Sequence, residues 1–175
     1  VIYLSGIMPN ESEKRLSSHL KSRLEVESVL RSRSVKVTVL RAGIIFGPGG
    51  SSFSILINLV RRLPMMVFPA WTHSMTQSID INDVCRAFRL CFEKAPYKGG
   101  TFDLSGHNPM SYKLLVKRVA EKLGRKFISI SIPFNFFFIS KHCLSTLGGV
   151  PLALAEPLQK SLIHDLRSEC NPLSE

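Results

Sequence analysis

The stretch from Val35 to Phe46 limits most strongly what this chain can become. It is β-prone and almost unbroken in apolar character, and Gly47-Pro48-Gly49-Gly50 stops it. A strand with one wet face alternates apolar and polar residues, so a continuous run predicts a strand covered on both faces. Cover on both faces is typical of parallel sheets, whose crossover connections lay helices on each side.

The flanking segments supply such helices. Val1–Leu4 reads as a buried strand that ends in the turn Ser5-Gly6-Ile7-Met8-Pro9, and Leu16–Arg33 as a helix rich in Leu, Glu, Arg and Lys. Ser51 or Ser52 can cap the next helix, which runs to about Arg62. Met65–Phe68 and Gln77–Ile81 are short strand candidates, and Asp80 or Asn82 can cap a helix through Phe92. Thr101–Leu104 follows as a strand, Ser111 opens a helix that closes at Gly124, and Ile128–Ile132 is a further strand. A last helix is expected from about Pro157 to Leu166. This alternation predicts an α/β fold with a mainly parallel sheet over residues 1–132 and a helix-rich C-terminal lobe over 133–175.

With 175 residues and 45% hydrophobic composition, the chain can bury one sizeable core but not two. Val1 opens directly into an apolar strand, from which we expect a fragment of a longer protein. The net charge of +10 is scattered along the sequence, with only short pairs such as Arg61-Arg62. No zinc finger, helix-turn-helix or aromatic RNA-binding motif accompanies it, so a solvated basic surface is preferred to a nucleic-acid partner. Cys85, Cys91, Cys143 and Cys170 have neither metal-site nor disulfide-framework spacing. Cys85 and Cys91 read as small core residues of a reducing, cytoplasmic compartment. The most apolar stretch, Phe127–Ile139, is broken by Pro133 and Asn135 and falls short of the roughly 20 residues that span a bilayer. Its aromatic end, Phe134, Phe136, Phe137, Phe138 and Ile139, forms an apolar surface compatible with peripheral membrane contact.

One helix breaks its own pattern. At 100° per residue, Leu16, Leu20, Leu24, Val26 and Leu30 share an arc of about 160° that should face the sheet. Ser17, Ser18, Lys21, Glu25 and Ser28 fall opposite, yet His19, Arg23 and Glu27 lie inside the apolar arc. Charge turned towards a core is costly unless paired. The spacing admits an Arg23–Glu27 ion pair with His19 as neighbour. It also admits a helix face that lines a cleft, where His19 exchanges a proton and Arg23 holds an anionic or hydroxyl-rich group.

Several segments carry a resemblance when taken in order. They are Val1-Ile2-Tyr3-Leu4-Ser5, His19-Leu20-Lys21-Ser22-Arg23, Val39-Leu40-Arg41-Ala42-Gly43-Ile44-Ile45-Phe46-Gly47-Pro48-Gly49 and Ser78-Ile79-Asp80-Ile81-Asn82-Asp83-Val84. Gly99-Gly100-Thr101-Phe102-Asp103-Leu104-Ser105-Gly106 and the helix from Ser111-Tyr112 to Leu123-Gly124 continue the series. Together they resemble the second half of extended and atypical short-chain dehydrogenases/reductases, the group that includes sugar-nucleotide epimerases. The resemblance implies a Rossmann-like domain that binds NAD or NADP, with a small-molecule substrate between the strand ends and the C-terminal lobe.

The resemblance also implies site residues, and it shows departures. The family's catalytic Tyr and Lys fall at His19 and Arg23, and its catalytic Ser or Thr falls near Ile7. A neutral imidazole is a very different acid from a phenol, and Arg does not deprotonate. Ser5 and Gly6 would end the strand under the cofactor, while Ala42, Gly43 and Ile44 would pass near its carboxamide. The Gly-rich phosphate-binding turn is absent, and Gly47-Pro48-Gly49-Gly50 cannot replace it because Pro48 lacks an amide donor. Two functions follow: an oxidoreductase- or epimerase-like protein with altered chemistry, or a non-catalytic dinucleotide-binding or assembly protein that keeps the fold.

Other polar residues have simpler readings. His73 sits in a polar loop where Trp71 serves as anchor or stacking surface, and His107 and Asn108 suit a turn before Pro109. His142 and His164 lack partners at metal spacing, so no metal site is expected. Asp80 and Asp83 suit a helix N-terminus better than acid-base chemistry.

Overall fold

A computed structural model of the protein describes residues 1–49, 51–106, 108–135 and 160–168. His107, Phe136–Ile139, His142, Cys143, Cys170 and positions 157–159 of the expected C-terminal helix lie outside these residues; of its remaining positions only Lys160 and Ser161 are helical, and Leu166 forms a β-bridge instead. In chain order the first half contains β1 (Ile2–Gly6), α1 (Ser18–Arg31), β2 (Thr38–Ala42), β3 (Ile44–Phe46), α2 (Ser51–Arg62), β4 (Met65–Phe68) and β5 (Met75–Thr76). The second half contains β6 (Ser78–Asp80), α3 (Ile81–Glu93), β7 (Thr101–Leu104), β8 (Met110–Ser111), α4 (Tyr112–Lys122) and β9 (Ile128–Ser131).

The sheet is mainly parallel. β2 runs between β1 and β7, parallel to both. β3 with β6 and β4 with β9 are parallel pairs, whereas β5 and β8 pair antiparallel. The β5–β8 pair was not expected from the pattern, because two-residue strands carry no measurable periodicity.

Local signals set the helix starts. Ser17, Asp80 and Ser111 cap α1, α3 and α4, accepting from the amides of Leu20, Asn82 and Leu114. Each such cap contributes about 1 kcal/mol. Helix α1 therefore starts at Ser18 rather than Leu16, although Leu16 is still buried. Gly124, at φ 63°, ends the turn after α4 in a conformation that disfavours side chains.

The long apolar run is two strands, not one. A Cβ on Gly43 would lie 1.8 Å from the Gln77 carbonyl oxygen, so only glycine fits where these backbones cross. After Ala42 the chain leaves β1 and β7, and as β3 it takes β6 as its partner. Val35 stands outside both strands and is exposed.

The two helices flanking this sheet differ in what they bury. A cluster of Leu40, Ala42, Leu104 and Ile79 packs with Val84, Ala87 and Cys91 of α3. Cys85, expected in that core, is exposed because it falls one residue off the buried Val84-Ala87-Cys91 stripe. On α1, Leu20 and Glu27 are buried, while Val26, at the margin of the expected arc, is exposed.

Residues 160–168 are stitched to this body by polar contacts. Ser161 Oγ lies 2.8 Å from Ser17 Oγ, and the Ile163 carbonyl accepts from Ser74 Oγ at 2.7 Å. Leu166 bridges to Thr76, and the Ser168 amide donates to Gln77 Oε1 at 2.6 Å.

Candidate functional site

Parallel strands bring their carboxyl ends to one edge, where ligands of open α/β sheets bind. Here the ends of β1 and β2 meet in register, with Ser5 opposite Arg41 and Gly6 opposite Ala42. A cleft of about 380 Å³ opens there, lined by Ser5, Gly6, Ala42, Gly43 and Arg23. Leu4, Ile45, Pro48, Gly49 and Ile81 complete its lining. Of the residues singled out in the sequence, Ile44 is not part of the lining and its neighbour Ile45 is, since alternate residues of β3 point to opposite faces. Pro48 and Gly49 escaped the sequence reading as lining residues, although they directly follow a strand end, the position that signals a cleft in such folds.

Arg23 lies across the end of β1. Its Cδ and Nε sit 3.7 and 3.8 Å from the position a Cβ on Gly6 would occupy. That spacing is ordinary contact, so packing alone does not demand a glycine at position 6. Gly43 differs, because the crossing with Gln77 already requires it.

The column on α1 divides into two pairings, and neither is the Arg23–Glu27 pair that the spacing suggested. Arg23 Nε donates to His19 Nε2 at 3.2 Å. Glu27 turns to the sheet and accepts two bonds from Arg41, 3.2 Å from Nε and 2.6 Å from Nη2. Arg41 reaches α1 from β2 with two guanidinium nitrogens, each on a different Glu27 oxygen, a bidentate pairing that fixes the carboxylate towards the sheet.

Electrostatics follow from these pairings. Burial lowers the His19 pKa below its ordinary 6.5, and the Arg23 guanidinium lowers it further. His19 is thus neutral at neutral pH, with Nε2 as an acceptor and its proton on Nδ1. Asp103 stands opposite Arg41 in the β2–β7 register. Burial raises its pKa; Arg41 and a hydrogen bond from Ser168 pull it back down, and Glu27 adds a smaller upward push. Ser5, Arg41 and Asp103 therefore form one polar row across three strands, tied to α1 by the Arg41–Glu27 pair. Ser5 is buried, and its Oγ has no hydrogen-bond partner among the described residues.

A second polar group collects around α4. Trp71 stacks edge-on against Tyr112 with ring centroids 5.9 Å apart. Trp71 Nε1, Thr76 Oγ1 and Tyr112 OH are all buried without a well-formed hydrogen bond among the described residues. Burial lifts the Tyr112 pKa to about 12, which keeps the phenol protonated and uncharged at neutral pH. Trp71 therefore anchors its loop, and the neighbouring His73 is exposed. Asp80 caps α3 and Asp83 pairs with Arg86 at 3.6 Å, both at the helix start. His164 Nδ1 lies 3.1 Å from Glu11 Oε1. Among the described residues, no group of three or more His, Cys, Asp or Glu side chains is placed to hold a metal ion. No described helix is long and apolar enough to cross a membrane.

Known structures share the fold. The chain superposes on a nucleoside-diphosphate-sugar epimerase from Staphylococcus aureus with a TM-score of 0.70 and 16% identity, covering 98% of this chain and 58% of that one. The fold is Rossmann-like. An NADPH-dependent quinone oxidoreductase from Escherichia coli gives a TM-score of 0.73 and 19% identity, covering 99% of this chain and 60% of that one. A UDP-glucose 4-epimerase from Thermus thermophilus, solved with NAD, gives 0.56 and 14%, covering 92% and 63%. The Rossmann-like chain thus spans about six-tenths of the length of these structures. No protein-family model and no curated protein sequence matches it.

Proposed function

We propose that the chain forms the nicotinamide side of an NAD(P)-binding protein of the oxidoreductase or epimerase type, with His19 and Arg23 in place of the usual Tyr and Lys. One observation carries this reading: Arg23 and Ser5 both line the cleft at the ends of β1 and β2, and the buried Ser5 hydroxyl has no hydrogen-bond partner among the described residues. A hydroxyl that is buried beside a cleft without a partner is stabilised by a polar ligand atom. The residues present fit a nicotinamide riboside. Ser5 Oγ would meet the ring or its ribose, Gly6 permits close approach, and Arg23 offers donors to ribose hydroxyls. When bound, the cofactor supplies hydride transfer. The turn Gly47-Pro48-Gly49-Gly50 precedes α2 but lacks an amide donor at Pro48, so it is not assigned to the pyrophosphate.

His19 would act mainly as a positioning residue. Its Nε2 accepts from Arg23 and fixes the guanidinium over Gly6, while its protonated Nδ1 is the only proton it can offer near neutral pH. On this reading residues 1–132 belong to the dinucleotide domain and 133–175 to a lobe over a small-molecule substrate. A cytoplasmic location suits the exposed thiol of Cys85.

The occupied His19 Nε2 specifically favours a second reading, a dinucleotide-binding or assembly protein without turnover. Titration of the full-length protein with NADH and NADPH, followed by fluorescence, tests both. Binding that weakens about tenfold in Arg23→Ala supports the cleft assignment. Binding without turnover selects the assembly reading, and no binding of either dinucleotide rejects both.

A further inference from the structure

The β4–β9 pair shares no residue with the cleft lining, and it has an unusual outer face. Met65 stands opposite Ile128 and Val67 opposite Ile130, so these four side chains share one side of the pair. They are 47%, 68%, 47% and 42% exposed respectively. Met66 and Phe68, on the other side, are buried. Parallel strands are ordinarily covered on both faces, and contiguous exposed apolar area marks an interaction surface. Phe134 extends the patch beyond β9. It is 63% exposed, and its carbonyl accepts from the Ala70 amide just after β4.

Charge accumulates at the opposite end. The strands are parallel, so the residues preceding each gather at one end of the pair. Arg61 and Arg62 precede β4, Arg125 and Lys126 precede β9, and Arg125 Nη2 donates to the Arg61 carbonyl at 2.9 Å. Across residues 55–69 and 117–135 there are seven Lys or Arg and one acid, Glu121.

We propose that this face docks on an anionic bilayer surface. The cationic end would meet lipid phosphates, while Met65, Val67, Ile128, Ile130 and Phe134 enter the boundary between headgroups and acyl chains. Charge complementarity identifies the partner: aliphatic and aromatic side chains beside clustered Lys and Arg match the interface of a negatively charged leaflet. The aromatic run of the sequence begins at Phe134, the tip of this patch.

Flotation of the full-length protein with vesicles tests the proposal, using phosphatidylcholine alone and phosphatidylcholine mixed with phosphatidylglycerol. Binding is expected only to the mixed vesicles and should weaken as salt is raised. Ile128→Ser with Ile130→Ser should reduce partitioning at least about tenfold. Arg61→Gln with Lys126→Gln should reduce it about twenty-five-fold, near fivefold for each charge. All these side chains are exposed, so thermal melts should match wild type. Equal binding to both vesicles, no binding to either, or anionic binding that survives the isoleucine changes overturns the proposal. So does self-association without vesicles that is lost in the isoleucine variant, which would make the face a contact between copies.

Discussion

The β1-β2-β7 sheet is covered by two helices that solve the same packing problem differently. Against α3 it buries Leu40, Ala42, Leu104, Val84, Ala87 and Cys91, a dry apolar layer. Towards α1 it presents Ser5, Arg41 and Asp103, of which Arg41 bonds Glu27 of α1, while Arg23 and His19 of the same helix pair near the strand tips. An apolar layer stabilises through area removed from water, at about 25 cal/mol per Å². A charged layer gains little net stability, because desolvation offsets most of the attraction between partners. The difference teaches that α3 holds the fold together, while α1 spends potential burial on placing polar groups at the cleft.

The largest expected effect tests the apolar side. Leu40 is fully buried, so Leu40→Ala should cost about 2–5 kcal/mol, read as a lowered urea midpoint. A loss below about 1 kcal/mol would mean that this layer is not the core.

On the polar side, Glu27→Ala removes the carboxylate hydrogen-bonded to Arg41, leaving that guanidinium with Asp103 across the sheet, and should cost about 3 kcal/mol. Replacing both partners, Glu27→Leu with Arg41→Met, should return stability to within about 1 kcal/mol of wild type. If the double variant is as unstable as Glu27→Ala, the charged layer is structural and the contrast between the faces fails.

A smaller effect concerns pH. Burial and Arg23 lower the His19 pKa in the folded state, so the unfolded chain binds more protons between that lowered value and 6.5. Stability linked to His19 is therefore complete above 6.5 and declines as pH falls through the lowered value. Protonation also removes the Nε2 acceptor used by Arg23. His19→Gln keeps an acceptor but does not titrate, and its melting temperature should change less with acidification than that of wild type. Identical slopes would show that His19 is solvated.

The smallest effect on stability sharpens the cleft. Gly6→Ala places its methyl in ordinary contact with Arg23 and should leave stability within about 0.5 kcal/mol of wild type. The same change should weaken NADH binding, which calorimetry can measure, because the methyl enters the space where the ring would approach. Unchanged affinity would move the ligand away from β1.

Much of the architecture was legible because it rests on local patterns. The caps at Ser111 and Asp80, the apolar strands and the Gly124 stop are each written within a few residues. The oddity of His19, Arg23 and Glu27 was equally visible, since helical periodicity sets which side a residue takes. Their partners were not. Sequence spacing favours Arg23–Glu27, but Arg41 reaches Glu27 from a neighbouring strand fourteen positions away, and nothing local announces it.

By itself, the sequence determined an alternating α/β order, a strand buried on both faces and a helix with polar groups turned inward. These depend on propensity and period, which act over single turns and short runs. Only the tertiary structure decided that the long strand breaks at Gly43, that Glu27 turns to the sheet and that Arg23 lies over Gly6 beside His19. Each of those outcomes depends on which backbone segments lie against one another, and such contacts between distant residues leave no period in the chain.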